Sequence, residues 1–110
     1  MTPPADRRAT PRFQAKQGNQ IVYGANPTAI RDLSLEGVFV IDQDPLPVGS
    51  ELAFTLLAGE VEIALEGIVR HVVEQEGMGI QFTNVTAVSK RRLRIYIAGL
   101  VPAPIQLVTT

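Results

Sequence analysis

Two short stretches hold the side chains best equipped for chemistry. Residues 7–12 read Arg-Arg-Ala-Thr-Pro-Arg, and residues 32–37 read Asp-Leu-Ser-Leu-Glu-Gly. In the first, Arg8 and Arg12 stand four apart, with Arg7 directly before them. A guanidinium fork grips phosphate oxygens with two parallel hydrogen bonds, reads guanine O6 and N7 in the same way, and stacks flat on a base. A helix would put Arg8 and Arg12 on one face, but Pro3, Pro4 and Pro11 disfavour a helix here. An extended, curved arm lets the two arginines reach around one ligand, which suits a guanine nucleotide. The same residues also fit a plain solvated basic terminus.

In the second stretch, the Asp32 carboxylate can accept two parallel hydrogen bonds, matching the N1–H and exocyclic amine of guanine. The Ser34 hydroxyl can donate to a phosphate or accept from a base amine. Gly37 removes a Cβ where a backbone must come close to a ligand. The competing reading is an Asp/Ser turn that closes before the buried strand Val38–Ile41.

The rest of the chain must position these groups. Its 110 residues suit one domain. Cysteine is absent, which excludes disulfides and thiolate metal sites, and His71 is the single histidine, with no acidic cluster around it in sequence. No metal site and no cofactor are expected. No nucleophile–base pair or phosphate-cradling glycine loop is legible, so an enzyme is not expected. No apolar run approaches the ~20 residues of a membrane span, and residues 1–12 lack the apolar centre of a secretory signal. A cytoplasmic domain without membrane insertion is the expectation. The net charge is −1, yet residues 1–18 hold Arg7, Arg8, Arg12 and Lys16 against Asp6 alone. A basic arm suits a compact anion better than a long polyanion, so no nucleic-acid partner is expected.

Beyond the arm, short strands are predicted around Ile21–Tyr23, Ala29–Ile30 and Val38–Ile41, the last apolar on both faces, and alternation predicts further strands over Glu51–Leu57, Val61–Val73 and Met78–Thr83. Turn-forming residues separate them at 24–27, 42–49, 58–60 and 74–77. Gly67 suggests a bulge or bend in the fifth strand. Phe39, Phe54 and Phe82 are expected in the core. One helix follows, N-capped by Thr86 and stopped at Gly99, with Val88, Leu93, Tyr96, Ile97 and Leu100 as its apolar stripe. The expected fold is mostly β: a small six-stranded antiparallel β-barrel with one C-terminal α-helix. Residues 1–12 form a flexible basic arm, 13–100 the barrel and helix, and 101–110 a loose tail.

Arg-x-x-x-Arg followed about twenty residues later by Asp-x-Ser-x-x-Gly, leading into an apolar strand, resembles the PilZ domain family of bacterial cyclic di-GMP receptors. The resemblance extends through "PLPVGSEL" at 45–52, "GMGIQF" at 77–82 and "VSKRRLRIYI" at 88–97, covering roughly Asp6 to Leu100. It implies that Arg8 and Arg12 bind phosphates and guanine edges, that Asp32 and Ser34 hydrogen-bond the guanine and a neighbouring phosphate, and that Gly37 permits close approach. It further implies that Arg7 accompanies binding of cyclic di-GMP as an intercalated dimer. His71 falls where relatives often carry an aromatic and is a possible lining residue; a half-exposed strand histidine is the plainer reading. The implied role is a second-messenger adaptor whose arm closes over the ligand and changes the surface shown to a protein partner, in motility or exopolysaccharide control. Two alternatives remain: a protein-interaction module of the same fold that does not bind the nucleotide, and a small barrel for single-stranded nucleic acid. The latter needs exposed aromatics, and the chain has only two tyrosines and four phenylalanines.

Overall fold

The computed structural model describes residues 12–14, 20–24 and 26–99. Arg7 and Arg8, all of the expected arm but Arg12, Leu100 of the expected helical stripe and the tail 101–110 lie outside the described residues. Among the described residues, seven strands and a helix follow in order: β1 (Phe13–Gln14), β2 (Gln20–Tyr23), β3 (Asn26–Leu33), β4 (Gly37–Ile41), β5 (Glu51–Ala58), β6 (Val61–Val73), β7 (Gly77–Thr83) and α1 (Ala87–Ala98). Every pairing is antiparallel. The order β3-β2-β5-β6-β7-β4 closes through a β3–β4 ladder, so six strands form the barrel, as their alternation predicts. The two residues of β1 add to β3, pairing Phe13 with Leu33 and Gln14 with Asp32.

β3 is longer than the sequence suggests and includes Pro27. Proline cannot donate to a ladder, but β4 joins β3 only from Ile30 onward, so the missing N–H is harmless there. Inward positions supply the core. In β6 they are Ile63, Leu65 and Val69, with Gly67 continuing the same buried phase. Gly67 therefore marks no bulge: the strand runs unbroken past it, and the register shifts between Val69 and His71 instead.

Helix α1 closes one side of the barrel against β6. Thr86 caps it, its hydroxyl accepting from the Ser89 amide at 3.1 Å, and the Gly99 amide donates to the Tyr96 carbonyl at its end. The buried face is Ser89, Leu93 and Ile97, four residues apart, with Tyr96 half-buried. Ser89 satisfies its buried hydroxyl by donating to the Ala64 carbonyl at 2.6 Å. Val88, expected in the apolar stripe, points to solvent at 60% exposure, because helical periodicity puts it beside Ser89 rather than above Leu93. No helix among the described residues is long and apolar enough to cross a membrane.

Two local constraints hold the β4 region. The Tyr23 hydroxyl donates to Asp42 Oδ2 at 2.5 Å, tying β2 to the loop after β4. Burial, and then the hydrogen bond to Asp42, push the Tyr23 phenol above its ordinary range. An unfolded tyrosine ionises near pH 10, so the folded chain holds this proton more tightly. The stability from this contact is complete below about pH 10 and is lost as pH rises beyond it. Tyr23→Phe should cost about 1 kcal/mol at neutral pH in urea unfolding and should flatten the stability loss above about pH 10. At Gly37, a Cβ would sit 2.5 Å from the Ile80 carbonyl oxygen of β7, so only glycine lets the strands pair this closely. Gly37→Ala should destabilise the barrel by about 1–3 kcal/mol in the same assay, the usual cost of overpacking.

Candidate functional site

In a regular strand the side chains at 30 and 32 share a face. Ile30 is buried in the barrel, so Asp32 would be buried with it. A bulge prevents this. Ile30 pairs with Val40 and Asp32 with Phe39, leaving Arg31 and Asp32 both opposite the single residue Phe39. The extra residue resets the phase. Leu33 then points inward at 0% exposure, and Asp32 turns to the outer face beside Arg31.

The β3–β4 hairpin follows at once. The Ser34 amide donates to the Gly37 carbonyl at 2.8 Å. Ser34 Oγ accepts from the amides of Glu36 and Gly37 at 3.1 and 3.2 Å. The turn reading of Asp-x-Ser-x-x-Gly is therefore correct as local structure, and Ser34 is buried to 1% exposure by it. The close approach that Gly37 permits in this structure is to the backbone of β7.

The hairpin opens onto a shallow cavity of about 570 Å³. Arg12, Arg31, Asp32 and Ser34 form its β3 side, Phe39 lies on its floor, and Arg70, His71 and Gln81 form the β6–β7 side. The structure thus brings together Arg12, Asp32, Ser34, Gly37 and His71 of the residues singled out from sequence. Arg7 and Arg8 lie outside the described residues.

Electrostatics concentrate on Asp32. Arg12 donates to its Oδ1 through Nε at 3.0 Å and Nη2 at 2.5 Å, while Arg31 Nε donates to Oδ2 at 2.8 Å. Both carboxylate oxygens are occupied by guanidinium groups. Arg12 also reaches Ser34 Oγ through Nη1 at 3.3 Å, so one arginine covers both polar groups of the second motif. The Arg31 guanidinium lies 3.9 Å over the Phe39 ring, within cation–π range. The His71 ring stands at 54° to Phe39, with centroids 6.5 Å apart.

Phe39 is buried, as expected, but on the other side of the sheet from the rest of the core. At 5% exposure it lies on the outer face beneath Arg31 and His71. Sequence reasoning passed over Arg31, Arg70 and Gln81. Arg31 adjoins Asp32 in sequence and could have been flagged. Arg70 and Gln81 meet only through β6–β7 pairing, where Arg70 Nε donates to Gln81 Oε1 at 2.8 Å.

Comparisons with known proteins agree with this architecture. The fold is similar to that of the Bacillus subtilis inhibitor of motility MotI/DgrA, with a TM-score of 0.68 and 24% identity over 84% of this chain and 49% of that one. The chain thus spans about half the length of that relative. An uncharacterized Legionella protein is also similar, with a TM-score of 0.62 and 17% identity over 79% of this chain and 89% of that one. At these identities both likenesses concern the fold. No curated protein sequence matches the chain. The PilZ domain profile matches residues 6–99, a span that holds both motifs, the barrel and the helix, and the chain belongs to the PilZ domain family.

Proposed function

We propose that this chain is a cyclic di-GMP receptor that acts as an adaptor, with no catalytic step of its own. The carrying observation is the meeting of Arg12 with Asp32 and Ser34 at one rim of an open cavity that offers cations and an aromatic floor. In this reading Asp32 takes the N1–H and amine edge of a guanine, Ser34 supports the adjoining phosphate, and Arg8 and Arg12 grip phosphate and base edge. Arg7 contributes to holding a second, intercalated ligand molecule, and His71 lines the far side.

Binding must exchange contacts, because Arg12 already occupies Asp32 and Ser34 in the structure. The exchange is inexpensive. The Arg12 side chain is 42% exposed and Asp32 15% exposed in their ion pair, and Arg31 stays bonded to the carboxylate when Arg12 leaves, so the cost is near the upper end of the solvent-screened range, about 1 kcal/mol. A charge-assisted hydrogen bond to phosphate is worth about 1.5–3 kcal/mol. Arg12 can therefore leave the carboxylate for the ligand at a net gain, carrying the chain before it across the cavity. That rearrangement alters the surface offered to a protein partner, and its extent is bounded by the ligand's differential affinity for the two arrangements.

One observation favours a second reading. Asp32 and Ser34 are fully engaged within the chain, by two arginines and two turn amides. A protein-interaction module that has no use for the nucleotide would show the same self-satisfied motif. Calorimetric titration separates the two. Cyclic di-GMP should bind wild type saturably, and Arg8→Ala or Arg12→Ala should abolish the heat while circular dichroism stays unchanged. A stoichiometry near two, falling toward one in Arg7→Ala, is expected from the role given to Arg7. Asp32→Ala should weaken binding by about tenfold or more, the loss of a charged hydrogen-bond partner. No heat with wild type, together with a partner captured equally with and without the nucleotide, would establish the second reading.

A further inference from the structure

The register shift in β6 mirrors the one in β3. Arg70 and His71 both oppose Gly79, as Arg31 and Asp32 both oppose Phe39, and Phe39 pairs with Gly79. One outward row therefore crosses β3, β4, β7 and β6, and each end carries an arginine next to a polar residue. The two arginines differ in their surroundings. Arg31 is bonded to the Asp32 carboxylate and stacked on Phe39. Arg70 is bonded only to the neutral Gln81 amide, and among the described residues it has no carboxylate partner. Gln81 thus orients the guanidinium through Nε, leaves its charge unquenched, and keeps the Nη groups available on a residue that lines the cavity.

The ends of the row are three strand spacings apart, about 14 Å along the sheet. In the reading above, a nucleotide at the β3 end uses its base edge on Asp32 and its phosphate on the arm arginines. At the β6 end, that far from Asp32, the cavity wall offers a guanidinium without a carboxylate partner among the described residues, and such a fork pairs best with a phosphate.

We propose that Arg70, positioned by Gln81, is a further ligand contact that grips the phosphate of a second nucleotide unit. This rests on the reading of the cavity as a cyclic di-GMP site. It makes the two bulges a matched pair, one presenting the groups for the first nucleotide unit and the other the fork for the second.

The test is titration of cyclic di-GMP into wild type, Arg12→Ala, Arg70→Ala, Arg70→Lys, Gln81→Leu and Arg91→Ala, with thermal unfolding of each. Arg91 is exposed on α1 and does not line the cavity, so its variant controls for loss of one positive charge. Arg70 is exposed, and its variants should unfold at the wild-type temperature. Arg70→Ala should weaken binding about tenfold or more, while Arg91→Ala binds like wild type. Arg70→Lys should recover only part of the loss, because lysine keeps the charge without the fork. Gln81→Leu should weaken binding in the same direction by a smaller factor. If Arg70→Ala loses no more than Arg91→Ala while Arg12→Ala abolishes binding, the role of Arg70 is overturned and the receptor reading stands. Full recovery in Arg70→Lys would overturn the oriented fork in favour of charge alone. Absence of binding by wild type would overturn the receptor reading and this inference with it.

Discussion

A single extra residue in β3 decides what this surface is made of. Sheet pairing forces side chains to alternate between the barrel interior and its outer face, and the barrel requires both Ile30 and Leu33 inside. Those positions are three apart, which strict alternation forbids. The bulge at Arg31 reconciles them. Its by-product is an arginine and an aspartate side by side on the outer face, at the start of a hairpin that also presents Ser34. The same device at Arg70 keeps Val69 inside while Arg70 and His71 face outward. Core packing and site construction are thus one requirement.

The floor between the two bulges is equally dependent on the barrel. Val38 and Val40 face the interior, and Phe39 between them faces outward onto Gly79 and under Arg31. A strand buried on both faces results, although one of those faces belongs to the cavity. Gly37 at its start allows β7 to pair closely, and the Tyr23–Asp42 hydrogen bond secures the loop after its end. The Arg12–Asp32 pair lies at the rim of this floor, with Arg12 42% and Asp32 15% exposed.

Much of the molecule is legible in the chain itself. The alternation in β5, β6 and β7 gives the strands, and the Pro, Gly and Asp content gives the loops. Thr86 and Gly99 bound the helix at both ends, as capping chemistry requires. These features depend on neighbours within a few residues, so local sequence carries them. The spacing of Arg8, Arg12, Asp32, Ser34 and Gly37 likewise carried the family, since it fixes which residue types stand before and after the first long hairpin.

Tertiary structure alone decided the rest. Gly67 read as a bulge because glycine often marks one, but the register is set by the partner strand, and the partner placed the shift beyond Val69. Phe39 read as core because its strand is apolar throughout; only pairing with Asp32 and Gly79 reveals that it faces the cavity. Val88 matched a helical stripe, yet the face that packs on β6 is centred on Ser89, Leu93 and Ile97. Arg70 and Gln81 are separated along the chain and meet through one ladder, so no local pattern announces them. The sequence by itself determined the elements, the motif and the family. Which of two alternating faces each side chain occupies was decided by strand register, which is a property of pairs of strands and is encoded in neither strand alone.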